Sequence, residues 1–181
     1  MRILRAGDHR QMPWKNGGGF TTEIAISPSG ATVSDFDWRI SMAKVPSSGP
    51  FSAFANVDRV LAVLDGEMRL TIGGGQATLI GPTSPAIAFP GDVPTSAEVI
   101  REVTDLNVMV RRGRFSANVR RLDQAGIVAN AEETFVLFRS AAEVSPRDAF
   151  GLDDVIHLFA TEGLAFTSIP KNAWLVEITS I

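Results

Sequence analysis

The stretch RVLAVLDGEMRLTIGG, residues 59–74, carries the pattern on which the fold prediction rests. Apolar residues recur at every second position up to Asp65, and the alternation resumes after Gly66. This period is typical of a β-strand that buries one face. Asp-Gly is also the preferred pair for a tight two-residue turn, because both residues tolerate the positive φ that the turn requires. The stretch therefore predicts a β-hairpin that turns at Asp65 and Gly66.

The same alternation recurs along the chain and predicts at least eight short strands. The clearest examples are WRISMAKV (38–45), PAIAFPGD (85–92), DLNVMVRR (105–112), TFVLFRS (134–140), LAFTSI (164–169) and AWLVEITS (173–180). The 16 Gly and 10 Pro residues punctuate the chain as in sandwiches and barrels. Short helices are expected only at 58–60, 123–126 and 140–144, since no stretch sustains the spacing of a packed helix. We therefore predict an all-β fold, closed or nearly closed.

Composition bounds the class of protein. The 181 residues, 45% of them apolar, suffice for one globular domain or for two small halves that share a core. The net charge is −3, and no basic run is long enough to follow phosphates, which argues against nucleic acid as a partner. The chain has no cysteine, which excludes disulfides and thiolate chemistry.

Neither a secretion signal nor a membrane span is recognisable in the sequence. The first fifteen residues lack the hydrophobic centre of a signal peptide, and no apolar run approaches the roughly 18 residues of a spanning helix. We therefore expect no membrane association and a cytoplasmic location.

The reactive side chains do not form a familiar catalytic or metal-binding motif. The two histidines, His9 and His157, lie far apart, so neither HxH nor HExxH occurs. No GxSxG turn is present to hold a nucleophilic serine. Carboxylate pairs at positions 35 and 37 and at positions 153 and 154 are typical of solvated loops unless the fold brings them into a cleft. We predict no metal, no cofactor and no catalytic residue.

The segment RRGRFSANVRRLDQ, residues 111–124, is strongly basic and poor in large apolar residues. Its arginines belong either to a linker or solvated surface, which is the commoner outcome, or to a site for an anionic ligand. The sequence leaves both interpretations open.

The segment PWKNGGGFTTEIA, residues 13–25, is a candidate ligand site ahead of a strand. Lys15 and Asn16 supply hydrogen-bond donors, and the glycines at 17–19 allow a close approach of the backbone because they lack Cβ. The alternative is an irregular turn or bulge in which Lys15 is exposed and Trp14 packs at the edge of the core.

Strand phase groups further polar residues. Arg39 and Ser41 share one face of their strand, and Asp105, Asn107 and Met109 share one face of another. Periodicity does not decide whether these faces line a pocket or meet solvent. For Arg39 and Arg59, the alternative to ligand binding is a structural ion pair with Glu23 or Asp105.

Taken together, these motifs resemble the HutD/Ves family. The combination that carries the resemblance is PWKNGGGFTTEIA, DWRISMAKV, GPFSAFANVDRVLAVLDGEM, FPGD and DLNVMVRRGR, which spans residues 13–114. The resemblance implies a compact double cupin of the RmlC-like jelly-roll type, with a first half at 13–114 and a second at 125–181 of one 181-residue unit. It also implies small-molecule binding that restrains histidine utilisation in bacteria, without an established enzymatic activity.

The resemblance implies that the metal of typical cupins is missing here. If Gly66 is the glycine of the first cupin hairpin, the early ligand positions fall at about Ala53, Ala55 and Arg59, and the late one near Pro94. None of these offers an imidazole or a carboxylate. Arg59 then places a fixed positive charge where the cation would lie, which suits a carboxylate ligand by bidentate pairing.

Our leading hypothesis is a protein that binds a small polar or anionic metabolite, such as a formylated or imidazole-bearing acid of histidine breakdown. Cationic and amide groups would hold its carboxylate, and the other polar groups would contact the rest of the ligand. The candidate ligand-binding residues are Lys15, Asn16, Glu23, Arg39, Ser41, Arg59, Asp105, Asn107 and Met109.

Two alternatives belong to other functional classes. One is a metal-independent isomerase or hydrolase that uses Glu23 or Asp105 as general base on a small polar acid. The other is a protein-interaction module whose exposed edge strands pair with a partner or with a second copy in a homodimer.

Overall fold

The structure is a computed structural model that describes residues 1–14, 19–145, 148–166 and 168–181. Within these ranges the chain forms strands and turns, with one short 3-10 helix at Ala6–Asp8. The strands are β1 (Arg2–Leu4), β2 (Arg10–Pro13), β3 (Phe20–Ser27), β4 (Trp38–Val45), β5 (Gly49–Pro50), β6 (Val57–Ile72), β7 (Thr78–Ile80), β8 (Ile87–Pro90), β9 (Thr95–Arg111), β10 (Phe115–Arg121), β11 (Gly126–Val128), β12 (Glu133–Phe138), β13 (Ala142–Ser145), β14 (Asp148–Phe150), β15 (Val155–Phe159), β16 (Gly163–Ala165) and β17 (Ala173–Ser180).

The chain divides into two compact units. The first comprises Arg10–Ser116, and the second comprises Met1–His9 together with Ala117–Ile181. The predicted halves at 13–114 and 125–181 each fall within one unit. Their assignment as the two halves of a double cupin stays a prediction.

A single antiparallel sheet forms the first unit. The hydrogen-bonded order is β2-β3-β4-β9-β6-β7, while β5 pairs with β9 and β8 pairs with β6. The centre of the sheet is the pair of β6 and β9, strands of 16 and 17 residues that bond along most of their length.

The predicted hairpin turn at Asp65 and Gly66 is wrong. Strand β6 runs through these residues, and its register against β9 shifts on both sides of Asp65. Gly66 has φ of +83°, and the Oδ1 of Asp65 accepts a hydrogen bond of 2.8 Å from its backbone N–H. These features are typical of a β-bulge. A bulge and a tight turn can both require positive φ, so Asp-Gly is compatible with either.

Polar residues separate two apolar clusters on one face of β6 and β9. Along β9, Asp105 and Asn107 lie between Val103 of one cluster and Met109 of the other. Along β6, Arg59 occupies the corresponding position between the same two clusters. The opposite face of these strands is aliphatic and is also buried. Both faces are therefore covered, and the polar residues are in the interior.

A five-stranded sheet, ordered β1-β15-β12-β17-β10, forms the main part of the second unit. The pairs β11-β16 and β13-β14 form small separate sheets. The core is aliphatic and aromatic, and in it Phe138 stacks on Phe150 at 4.8 Å between centroids and meets Phe166 edge-on at 6.3 Å.

The prediction of an all-β fold is confirmed. The strands expected at 38–45 and 173–180 occur with the predicted bounds, whereas the one expected at 164–169 is reduced to Gly163–Ala165. The three short helices are wrong, since 58–60 lies in β6, 142–145 forms β13, and 123–126 contains no helix. In the ranges that the structure describes, no helix has the length and apolar character needed to cross a bilayer.

The basic segment at 111–124 is not a plain linker, because most of it belongs to β9 and β10. Arg112 pairs with Asp58 at 2.7 Å and with Asp92 at 2.9 Å, and Arg114 pairs with Asp37 at 2.6 Å. In the second unit, Arg121 lies 4.8 Å from the ring centroid of Trp174. These side chains tie neighbouring segments of their own unit together.

Candidate functional site

The first unit contains a cavity of about 570 Å³, and the polar face of its central strands forms part of the cavity wall. Six of the predicted site residues line it: Arg39, Ser41, Arg59, Asp105, Asn107 and Met109. The rest of the lining comes from the end of β2 and the residue after it, from β3 and β4, and from the end of β5 and the segment after it: Pro13, Trp14, Thr21, Ala43, Val45, Pro50, Phe51, Ser52 and Phe54.

Strand register explains why these side chains converge. Met109 on β9 is paired with Arg39 on β4 and with Arg59 on β6. Two residues earlier, Asn107 is paired with Ser41. Directly opposed residues in a sheet project to the same side, so three adjacent strands present one polar patch.

Arg59 is the buried cation of the cavity. The residue is 6% exposed, and its guanidinium lies 5.1, 5.8 and 5.2 Å from the ring centroids of Phe51, Phe54 and Phe89. Burial lowers the pKa of Arg59 to about 10, while the charge of Asp105 opposes that shift. The guanidinium therefore stays protonated at neutral pH.

The hydrogen bonds of Arg59 leave part of its guanidinium free among the described residues. Its Nε donates to the Oδ1 of Asn107 and its Nη1 donates to the carbonyl oxygen of Ser52, both at 3.3 Å. Both acceptors are neutral and both bonds are long. The Nη2 group has no partner in the part of the chain that the structure describes, so it can donate to a ligand.

Asp105 is the buried acid of the cavity. The residue is 3% exposed, and its Oδ1 has no hydrogen-bond partner among the described residues. Burial raises the pKa of Asp105 to about 7, against opposing effects from Arg59 and from a hydrogen bond of the Ala43 backbone. Near neutral pH this carboxyl group is therefore present in both its neutral and its ionised form.

Arg39 is neutralised by Glu23. Its Nε donates to the Oε2 of Glu23 at 2.7 Å, and both side chains are largely buried. Glu23 is not among the residues that line the cavity. The structural ion pair that the sequence offered as an alternative is therefore present, and Arg39 also borders the cavity.

The predicted site residues Lys15 and Asn16 lie outside the described residues. The residues on either side show why glycine is needed at the end of this segment. A Cβ on Gly19 would lie 2.5 Å from the carbonyl oxygen of Lys44 and 3.0 Å from the ring of Trp14. Trp14 itself is held by a 2.9 Å hydrogen bond from its Nε1 to the Oγ1 of Thr21. Gly19 thus lets the backbone pack closely against β4 and against the indole ring of Trp14.

Sequence reasoning missed the aromatic wall of the cavity. Phe51 and Phe54 follow β5 in the segment GPFSAF at 49–54 and contact the guanidinium of Arg59. The signal that could have found them is a pair of phenylalanines in a short segment rich in Ser, Gly and Ala, where a loop would otherwise be polar. Pairing of such rings with a distant arginine depends on the tertiary fold.

The described residues hold no cluster of three or more His, Asp or Glu side chains able to bind a metal ion. His157 lies in the second unit, where it stacks on Phe135 at 4.1 Å and its Nε2 hydrogen-bonds to Glu133. Asp154 accepts hydrogen bonds from the backbone of Gly151 and Ala6, each of 2.9 Å. Both residues have structural partners.

Comparison with known proteins identifies the family. The HutD family model matches residues 6–175. The chain belongs to the HutD family. It is 32% identical over 188 residues to an uncharacterized 21.2 kDa protein of Pseudomonas putida from the region 3′ of hutC, with 99% of this chain and 98% of that protein covered. It is also 36% identical over 140 residues to the protein Ves of Cronobacter sakazakii, with 75% and 76% covered.

Solved structures agree with this family and with its fold. HutD of Pseudomonas fluorescens superimposes with a TM-score of 0.82 at 28% identity, covering 99% of this chain and 98% of the other. An oxalate decarboxylase variant of Bacillus subtilis superimposes with a TM-score of 0.59 at 10% identity, covering 99% and 77%. The second likeness concerns the fold alone, and the predicted jelly-roll cupin fold is confirmed.

Proposed function

We propose that this HutD-family protein binds a small carboxylate metabolite in the cavity of its first unit and thereby regulates histidine utilisation. The observation that carries the proposal is Arg59, a buried cation beside a cavity whose nearest hydrogen-bond acceptors are neutral. A buried charge that forms no salt bridge with an acid is costly, and an anionic ligand would compensate it. A carboxylate matches the planar shape of a guanidinium and can pair with it through two hydrogen bonds.

The remaining lining groups favour a polar ligand of metabolite size. A cavity of about 570 Å³ lies within the usual range for small-molecule sites. Asn107 and Ser41 can each donate and accept hydrogen bonds, which suits the amide of a formylated acid or the ring of an imidazole-bearing acid. Phe51 and Phe54 supply apolar surface for the body of the ligand.

The regulatory part of the proposal is supported by the family and by the position of a relative's gene. The Pseudomonas putida relative is described by its location in the hutC 3′ region. A binding protein encoded there would sense an acid of the pathway and restrain its own pathway when that acid accumulates. Lys15 and Asn16 stay candidates for additional contacts in this proposal.

A metal-independent enzyme is the second candidate, and Asp105 favours it. A buried carboxyl group with a pKa of about 7 has the properties of a general base at neutral pH. Incubation of the purified protein with urocanate or N-formylglutamate, followed by chromatography, would reveal turnover. Conversion that disappears in Asp105→Asn would favour the enzyme over the binding protein.

Isothermal titration with urocanate and N-formylglutamate tests the proposed binding. We expect binding to the unmodified protein and at least about tenfold weaker binding to Arg59→Ala and Arg59→Met, because each removes the charged donor. Arg59→Met keeps most of the volume of the side-chain stem, so it limits collapse of the cavity.

Arg69→Met is the matched control, since Arg69 lies on the same strand but pairs with Glu98 at the surface. It should bind both acids as the unmodified protein does. Equal heats from the Arg59 variants and the unmodified protein would remove Arg59 from the site. If neither acid binds to the unmodified protein, the proposed function is contradicted.

A further inference from the structure

Asp105 and Arg59 face the same cavity without forming a salt bridge. Both side chains are buried and both line the cavity, yet the hydrogen bonds of Arg59 go to Asn107 and to the backbone of Ser52. The Oδ1 of Asp105 has no partner among the described residues. A buried acid and a buried cation thus lie on the wall of one cavity, and each has a hydrogen-bonding group that no described residue satisfies.

The other charges around Asp105 compensate one another. On β3 and β4, Glu23 and Arg39 form an ion pair. Lys44, next to the strand neighbour Ala43, projects to the other side and pairs with Glu102 of β9 at the surface. On β6 the facing charge is Arg59. No histidine occurs among the described residues that line the cavity.

The charge of the cavity therefore depends on the proton of Asp105. With Asp105 ionised, Arg59 and Asp105 sum to zero, and an entering carboxylate would meet a like charge in a buried site. With Asp105 neutral, the described residues of the cavity carry one net positive charge, and Asp105 gains an O–H donor. Two carboxyl groups that share a buried site hold a proton far more strongly than either does alone.

We propose that the cavity binds its carboxylate ligand together with one proton, so that neutral Asp105 donates a hydrogen bond to the ligand carboxylate while Arg59 donates to the same anionic group. This inference rests on the proposed function and extends it, since it makes Asp105 a residue that selects for an ionised acid. A carboxylate can accept from both donors. A carboxamide has only one oxygen to accept a hydrogen bond from Asp105 or Arg59, and its NH₂ group would face the other of these two donors.

The inference has a defined sign with respect to pH. The pKa of Asp105 is about 7 in the free protein, and a bound carboxylate raises it further. Below that value the group already carries its proton, so affinity is constant. Above it, binding must take up a proton, and affinity falls by up to about tenfold for each pH unit.

Titration calorimetry with N-formylglutamate tests the inference. The carboxyl groups of this acid stay ionised from about pH 6 to 8, so any proton taken up enters the protein. Experiments in buffers of low and high ionisation enthalpy give the number of protons bound. From a pKa of about 7, we expect about 0.1, 0.5 and 0.9 protons per ligand at about pH 6, 7 and 8.

Asp105→Asn and Glu102→Gln separate the role of Asp105 from that of other acids. The asparagine keeps a donor in place but cannot titrate, so binding should take up no proton and should keep its pH 6 strength at pH 8. Glu102 lies on the same strand at the surface, and Glu102→Gln should behave as the unmodified protein does.

Binding of N-formylglutamate without proton uptake, or uptake that persists in Asp105→Asn, would overturn this inference and leave the proposed function intact. Absence of binding at about pH 6 would overturn the inference for this acid, and the urocanate titration would then decide the proposed function separately.

Discussion

Arg59 and Asp105 show how the same degree of burial acts on opposite charges. Loss of water disfavours the charged form of each group, so the pKa of the arginine falls and that of the aspartate rises. The ordinary pKa of arginine is so high that the lowered pKa of Arg59, about 10, still leaves it charged at neutral pH. The pKa of Asp105 is raised into the physiological range, which is why Asp105, unlike Arg59, changes its charge near pH 7.

The raised pKa of Asp105 predicts a pH-dependent stability of the ligand-free protein. Folding favours the protonated form, so this contribution to the free energy of unfolding is complete below about pH 4 and is lost as pH rises to about 7. Asp105→Asn should remove that loss and should be more stable than the unmodified protein at pH 8 by up to about 4 kcal/mol. Urea unfolding at several pH values measures it. Parallel pH profiles for both proteins would contradict the burial of an ionisable Asp105.

A bulge at Gly66 shifts the register of the long pair of β6 and β9, and no turn ends β6 there. The sequence signal was real, since Gly66 has a positive φ, but its structural meaning was misassigned. The apolar residues on both sides of Gly66 belong to one strand of 16 residues. Pairing along β9 decides between bulge and turn, and β9 lies some thirty residues further along the chain.

Substitution at Gly66 tests the bulge. A Cβ there would overlap the backbone carbonyl of Glu102 on the neighbouring strand, in addition to the strain of positive φ. We expect Gly66→Ala to lower the free energy of unfolding by more than about 2 kcal/mol. Gly74→Ala is the control, because Gly74 also has positive φ, at +71°, but has open space around it. It should cost about 1 kcal/mol, and equal losses for the two variants would contradict the close packing at Gly66.

The two units of the molecule differ in what fills their interiors. The first unit keeps a polar cavity between two apolar clusters, whereas aliphatic and aromatic residues make up the core of the second. The second unit also has a pocket of its own. Every described residue around the proposed ligand site, however, belongs to the first unit. The described lining of the proposed site and the core of the second unit are thus separate sets of residues.

Ile156→Val tests this separation. Ile156 is fully buried in the core of the second unit, and loss of one methylene there should lower the free energy of unfolding by about 0.5–1.5 kcal/mol. Binding of N-formylglutamate should be unchanged. Calorimetric titration and urea unfolding of the same sample measure both quantities, and a clear loss of affinity would show that the site depends on the second unit.

The alternation of apolar and polar residues was enough to predict an all-β chain and to group the residues of the site by strand face. Arg39 with Ser41, and Asp105 with Asn107 and Met109, were assigned to common faces because side chains alternate strictly along a strand. Alternation is a local property, so it could not say that these faces meet across β4, β9 and β6 around one cavity. Register between distant strands decided that. It also decided that Glu23 pairs with Arg39, while the Nη2 group of Arg59 has no partner among the described residues, and it brought Phe51 and Phe54 over the guanidinium.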